Sequence, residues 1–326
     1  MKLWLRIIVS TFLVICLVVS AVWYCGEIMK PIFIGDAYNA INAFHSIPEN
    51  SAEVIVYGSS HAWKGLDAVH MYNQYGIAAY NYGCNWQHIN TSALFIKDSL
   101  RTQSPKVILI EAFNINNVLM NTGLTGEILY TNQIDWFDGK AEYLQQCFGS
   151  SLKGYLGYFF PFMYFHENWS TLNQWNFMNP TDNYDFTDTM GYLGSSAVVY
   201  SDLSDPSTFE QQPLCEAAIA VLDEIVAICK EREIEIVFYT APYEGTFHHA
   251  DALRSYAAQN GCAYIDFFEC LDEAGMSGET DFRDEGHLND TGSQKIAEYL
   301  GRYLSENYSL TDMRQVENSF WKQQLG

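Results

Sequence analysis

Basic residues are scarce: 17 Lys and Arg stand against 39 Asp and Glu in 326 residues, a formal net charge of −22. That sign repels phosphate backbones and anionic headgroups, which sets nucleic-acid binding aside. The eight cysteines, at 16, 25, 84, 147, 215, 229, 262 and 270, include no C-x-x-C and no Cys/His spacing of a zinc site, so no structural metal is expected. The pair His248-His249 does not change this, because neighbouring side chains diverge and no acidic cluster at ligand spacing accompanies them. Internal repeats and low-complexity tracts are absent too. What the chain has in quantity is apolar surface: 48% hydrophobic and 15% aromatic residues with 17% charged, enough for a sizeable core and too apolar for disorder. Several cysteines, Cys229 among them, therefore read as small buried hydrophobes, and a Cys262 to Cys270 disulfide is allowed but not established by spacing.

The first thirty residues differ in kind. Ile7 to Tyr24 is an uncharged stretch approaching the ~20 residues that span a bilayer, with Lys2 and Arg6 on its N-terminal side, the flank that stays in the cytoplasm. Cleavage sites around Ser20 and Ala21 are imperfect, and the large residues before Cys25 make a poor lipoprotein site. An uncleaved signal anchor over residues 1–30 is the preferred reading, with a cleaved peptide as the alternative; either way the rest lies outside the cytoplasmic membrane. That remainder holds 14 basic and 38 acidic residues, net −24, so the acidity belongs to the part that folds in water.

Past a connector over 31–50, a regular rhythm begins. Glu53-Val-Ile-Val-Tyr57, Ala78-Ala-Tyr-Asn-Tyr82 and Val107-Ile-Leu-Ile110 read as buried parallel strands, with a helix over 88–101 between the second and third. The rhythm resumes with a helix over 215–231, whose Leu222, Ile225, Val226 and Cys229 make an apolar stripe, and the strand Glu235-Ile-Val-Phe-Tyr239. A helix over 250–259, a strand over 263–267 and a helix over 291–307 close it, followed by a tail over 311–326. Alternation of this kind predicts an α/β, flavodoxin-like three-layer sandwich with a central parallel sheet, here spanning 51–310. Residues 119–210 break the pattern with few charges and many aromatics, and read as an insertion too long for a plain loop.

Two segments more than 220 residues apart carry the chemistry. Gly58-Ser59-Ser60-His61 follows the first strand, where a parallel sheet places its ligand crevice. Asp284-Glu-Gly-His287 precedes the last helix, which returns to the same edge. A serine hydroxyl is a weak nucleophile that needs a base in reach, and the base needs a carboxylate to hold its tautomer. Ser60, His287 and Asp284 supply the three roles; Asp281, six residues before His287, is the competing acid.

In these segments the chain resembles the SGNH/GDSL hydrolase superfamily, and within it the membrane-anchored extracytoplasmic branch acting on cell-envelope polymers. The resemblance covers about 52–117 and 214–305. It puts Ser59 in the aspartate slot of the G-D-S string, Ser60 as nucleophile, and Asp284 and His287 in the late D-x-x-H. It further implies an oxyanion hole from the Ser60 N–H, the Gly83 N–H and the side chain of Asn114. Asn114 sits in Glu111-Ala112-Phe113-Asn114, which departs from the family's third block, and Asn85 competes with it.

Adjacent to Ser60, His61 is expected to line the pocket, and Trp86 to form a pocket wall. His166 and Trp169 either line a substrate groove or belong to an aromatic segment that packs on the sheet. The implied activity is a serine esterase or O-acyltransferase working on a small acyl group, acetyl above all, of a neutral extracellular or cell-wall polysaccharide, without metal or cofactor. A membrane-embedded acyl carrier protein is an expected partner of the transferase form. The alternative is a non-catalytic polysaccharide-binding or assembly protein that keeps the fold, in which Ser60, His287 and Asp284 need not converge.

Overall fold

Runs of Val and Ile suit a pleated strand buried on both faces. In the computed structural model, which describes residues 3–30, 34–177, 186–203 and 205–326, these runs are the centre of the molecule. Among the described residues, β1 (Val54–Tyr57), β2 (Ala79–Asn81), β3 (Val107–Glu111), β4 (Glu235–Thr240) and β5 (Ala263–Asp266) form one sheet. Every pairing is parallel and the order is β2-β1-β3-β4-β5, the flavodoxin-like doubly wound order. Ile55 lies between Tyr80 and Ile108, and Val107 faces Glu235. All of β1 and β3 is buried, as a strand needs when helices cover both faces.

The helices are α1 (Leu3–Ile28), α2 (Ile34–Ser46), α3 (Ser60–Trp63), α4 (Ala68–Tyr75), α5 (Ile89–Ser99), α6 (Gly126–Tyr130), α7 (Asp138–Phe148), α8 (Leu152–Phe159), α9 (Phe162–Phe165), α10 (Glu216–Glu231), α11 (Ala250–Asn260), α12 (Asp290–Asn307) and α13 (Phe320–Leu325). Helix α4 packs with α12, and α5 with α10. Right-handed crossovers put these two pairs on opposite faces of the sheet, which completes the expected three layers. Helix α1 is long and apolar enough to cross a membrane, and its most apolar window is nowhere buried by the rest of the chain.

Three expected irregular segments have more structure than their composition suggested. The connector over 31–50 is, in its described part, mostly α2; residues 31–33 lie outside the described residues. Its Ala37, Ile41 and Phe44 join the core, Phe44 stacks on Tyr82 at 4.0 Å, and His45 reaches the fully buried Asp98 at 2.9 Å. The insertion, of which 178–185 and 204 lie outside the described residues, contributes Ile128, Leu129, Leu144 and Phe148 to the same core. Its segment near Met190 covers the edge of β2, where the Asn81 N–H donates to the Met190 carbonyl at 2.8 Å. An edge so covered cannot template pairing with another chain.

The tail over 311–326 is a strap. Thr311 donates through its N–H and hydroxyl to the Glu53 carboxylate, and the Trp321 indole donates to the Ser51 carbonyl at 2.6 Å while stacking on Tyr72. Trp321 is 1% exposed. Truncating a buried aromatic leaves a cavity and here also an unpaired carbonyl, so Trp321→Ala is expected to lower stability by about 3–5 kcal/mol. Equilibrium denaturation checks this, and a loss within about 0.5 kcal/mol, the range of a surface substitution, would show the strap to be ornamental.

Candidate active site

The site begins with the exit from β1. Gly58 has φ +145°, and a Cβ there would lie 2.7 Å from the Glu111 Cβ at the end of β3, so only glycine lets the turn pass so close. The Gly58 N–H donates at 2.8 Å to Oε1 of the buried Gln87. Ser59 then caps α3, its Oγ accepting from the His61 N–H at 3.3 Å. Ser60 is the first residue of α3, a position whose N–H has no carbonyl to reach within the helix.

Across 227 positions of sequence, His287 approaches Ser60: Nε2 lies 2.7 Å from Oγ. The other ring nitrogen, Nδ1, lies 2.8 and 3.1 Å from the two Asp284 oxygens. With Nδ1–H donating to Asp284, Nε2 carries the lone pair that accepts the Ser60 hydroxyl proton. The Gly286 N–H donates to Asp284 at 2.9 Å and holds the loop. Asp281 is excluded from this work: it is fully buried, paired with Lys295 at 2.7 Å and bonded by the Ser277 N–H.

These groups open on a cavity of about 290 Å³ at the carboxyl ends of β1, β3 and β4, near the lower bound of ~300 Å³ for small-molecule sites. His61, Phe113 and Tyr243 form one wall, with the His61 ring stacked on Phe113 at 3.8 Å, and Trp86, 67% exposed, stands at the mouth. Asn114 lines the cavity as well. Its Oδ1 accepts from Asn117 at 3.0 Å, which fixes the amide, while its Nδ2 is buried without a protein partner. A buried donor left unpaired is costly, so its orientation is a feature of the cavity wall.

The remaining expected residues fall elsewhere. The Gly83 N–H donates to Asn81 Oδ1 at 3.1 Å, and Gly83 does not line the cavity. The reason is local: Asn81 is fully buried, its Nδ2 donates to the Ala62 and Leu66 carbonyls, and its Oδ1 accepts from the Gly83 N–H two residues on. Asn85 is half-buried and also outside the lining. None of the described residues of 119–210 lines the cavity, so His166 and Trp169 form no part of it. Glu111, which is not among the expected site residues, lies beneath the site: Ser59 Oγ donates to its Oε2 at 3.3 Å and the Phe113 N–H to its Oε1 at 3.0 Å. An acid closing the apolar run Val107-Ile-Leu-Ile-Glu111 was the signal available.

Electrostatics follow from burial. Desolvation, Lys64 and Arg283 together hold His287 below the usual imidazole range against the pull of Asp284, so the ring is neutral near pH 7. Burial alone would raise Asp284, but His287, the Gly286 N–H and Lys64 keep its carboxyl below the usual carboxylate range. His61 is held neutral by burial, then by His287 and Lys64. Burial pushes Glu111 up to about 8 despite hydrogen bonds from Phe113, Ser59, Ala241 and Ala112.

Two outcomes follow. Removing the cation in Lys64→Met raises the His287 titration, read from its imidazole proton shifts by NMR; an unmoved or lower midpoint would contradict the assignment of Lys64. Glu111 loses its proton near 4.5 when unfolded and near 8 when folded, so its contribution to stability is full below pH 4.5 and is lost as pH rises to 8. At 1.36 kcal/mol per unit, Glu111→Gln therefore gains on the native chain over that window by at most about 5 kcal/mol. Denaturation midpoints at pH 5 and pH 8 that differ equally in both proteins would refute it.

No family model matches the chain, and no curated protein matches it. Among solved structures, a Bacteroides fragilis protein described as a candidate acylhydrolase aligns over 81% of this chain and 93% of its own, at 10% identity and a TM-score of 0.40. Likeness at that level carries no functional weight.

Proposed function

We propose that the protein is a membrane-anchored serine esterase or O-acyltransferase of SGNH type, with its catalytic domain outside the cytoplasm. The observation that carries this reading is the continuous relay from Asp284 through His287 to Ser60, 2.8 and 2.7 Å long, between residues that only the fold brings together. A binding protein that merely kept the fold would have no need of it.

In this reading Ser60 Oγ attacks the ester carbonyl carbon as its proton passes to His287 Nε2, and Asp284 stabilises the imidazolium. The Ser60 N–H and Asn114 Nδ2–H hold the tetrahedral oxyanion. Collapse expels the alcohol, which takes the proton back from His287, and leaves the acyl group on Ser60. Water in the esterase, or a sugar hydroxyl in the transferase, then attacks the acyl carbon as its proton passes to His287, and collapse breaks the acyl–Oγ bond while Ser60 Oγ takes that proton from His287, releasing the acid or the acylated sugar. The cavity of about 290 Å³ has room for a small acyl group such as acetyl. Trp86 at the mouth offers a flat face to a sugar ring, and the acidic ectodomain favours a neutral polysaccharide over an anionic one. Lys2 and Arg6, ahead of the uncharged stretch Ile7 to Tyr24, orient α1 with the N-terminus inside.

Release of acetate from a chromogenic ester by the purified protein tests the reading. Ser60→Ala is expected to fall to background and Asn114→Ala to lose about 10²–10³ in kcat. An unchanged rate for Ser60→Ala rejects the nucleophile. Adding an acetylated glycan with and without an acceptor glycan separates hydrolysis, which liberates acetate in both, from transfer, which labels the acceptor.

A further inference from the structure

Helix α8 is apolar on the face it buries and, apart from the exposed Lys153, on the face it shows. Gly154, Gly157 and Tyr158 turn inward. Leu152, Leu156, Phe159 and Phe160, at i, i+4, i+7 and i+8, turn outward, and Met163 of α9 and Trp169 continue the exposed patch. A helix facing water carries polar residues there, and contiguous exposed apolar surface marks an interaction site. Residues 149–177 hold one basic and one acidic side chain, Lys153 and Glu167, in an ectodomain of net charge −24. Among the described residues the patch is thus poor in charge and rich in exposed large apolar side chains.

Its position says what it meets. The end of α1 is seated on α9 so closely that a Cβ on Gly26 would run into the Phe162 backbone. Asn168 and Asn176 donate to the Met29 and Ile28 carbonyls at 3.0 and 2.9 Å, closing the last turn of α1. Gly26 lies two residues past Tyr24, the end of the uncharged stretch, about 3 Å of helix rise. Helix α9 is thereby fixed at the depth where a span emerges, beside Trp23 and Tyr24, residue types that settle among headgroups.

We propose that the outer face of α8, α9 and the adjoining Trp169 segment rests in the outer headgroup layer of a phospholipid bilayer, beside the point where α1 leaves it. The proposal depends on α1 spanning that bilayer. Burial of aromatic and aliphatic side chains holds the face in place, and its lack of charge spares it the repulsion that the rest of the ectodomain would meet at an anionic surface.

The test uses the full chain in nanodiscs of phosphatidylcholine, with photoreactive benzoylphenylalanine introduced in turn at Val14, Met163, Trp169 and Glu298. Glu298 lies on α12, on the sheet face opposite α5. Lipid adducts at 14, 163 and 169 but not at 298 are expected. Adducts at 14 alone leave the span intact and overturn the resting face. Loss of the adduct at 14 removes the span and the proposal with it. Adducts from 163 or 169 to a second protein copy, or equal lipid labelling at 298, overturn it as well.

Discussion

Strand β1 is hydrogen-bonded on both edges and buried on both faces, and the positions of all the reactive groups derive from that. Parallel pairing with β2 and β3 forces the three chain exits to one edge, and the order of strands opens a crevice where the connections diverge to opposite faces. Because β1 has no freedom to shift register without exposing Val54 to Tyr57, the turn at Gly58 is fixed relative to Glu111, and Ser60 is fixed relative to the turn. The long reach back from residue 287 then needs only a well-placed helix, and α12, packed on α4, provides it.

Beneath this edge the polar groups are arranged in two strata. The upper one, Ser60, His287 and Asp284, is partly exposed and linked by hydrogen bonds from carboxylate to hydroxyl. The lower one, Glu111, Ser59, Gln87 and Asn81, is buried and spends its hydrogen-bonding capacity on backbone amides and carbonyls of the turns. Rigidity in the lower stratum is what lets long-range geometry in the upper one hold to within a hydrogen bond.

This division also explains what could be read from the residues alone. Ser60, His287 and Asp284 were legible because each sits at a predictable strand exit or helix entry, with a spacing that has chemical meaning. The sheet was legible because runs such as Val107 to Ile110 admit few other fates. Gly83 misled, since a backbone amide's partner depends on a neighbour's side-chain rotamer, and Asn81 takes it. Glu111 and Gln87 are single polar residues flanking apolar runs, with no periodicity to set them apart. Helix α2 and the strap ending in Trp321 derive their order from surfaces assembled elsewhere in the chain, which local composition does not encode.

That strap bears on the order in which the molecule can be finished. Trp321 packs against Tyr72 and bonds to Ser51, residues synthesised some 250 positions earlier. Domains made on the ribosome consolidate from the N-terminus, yet here the segment leading into β1 acquires part of its covering from Trp321, 270 positions after Ser51. Closure of the core at that end therefore waits until Trp321 has been made and has left the ribosome.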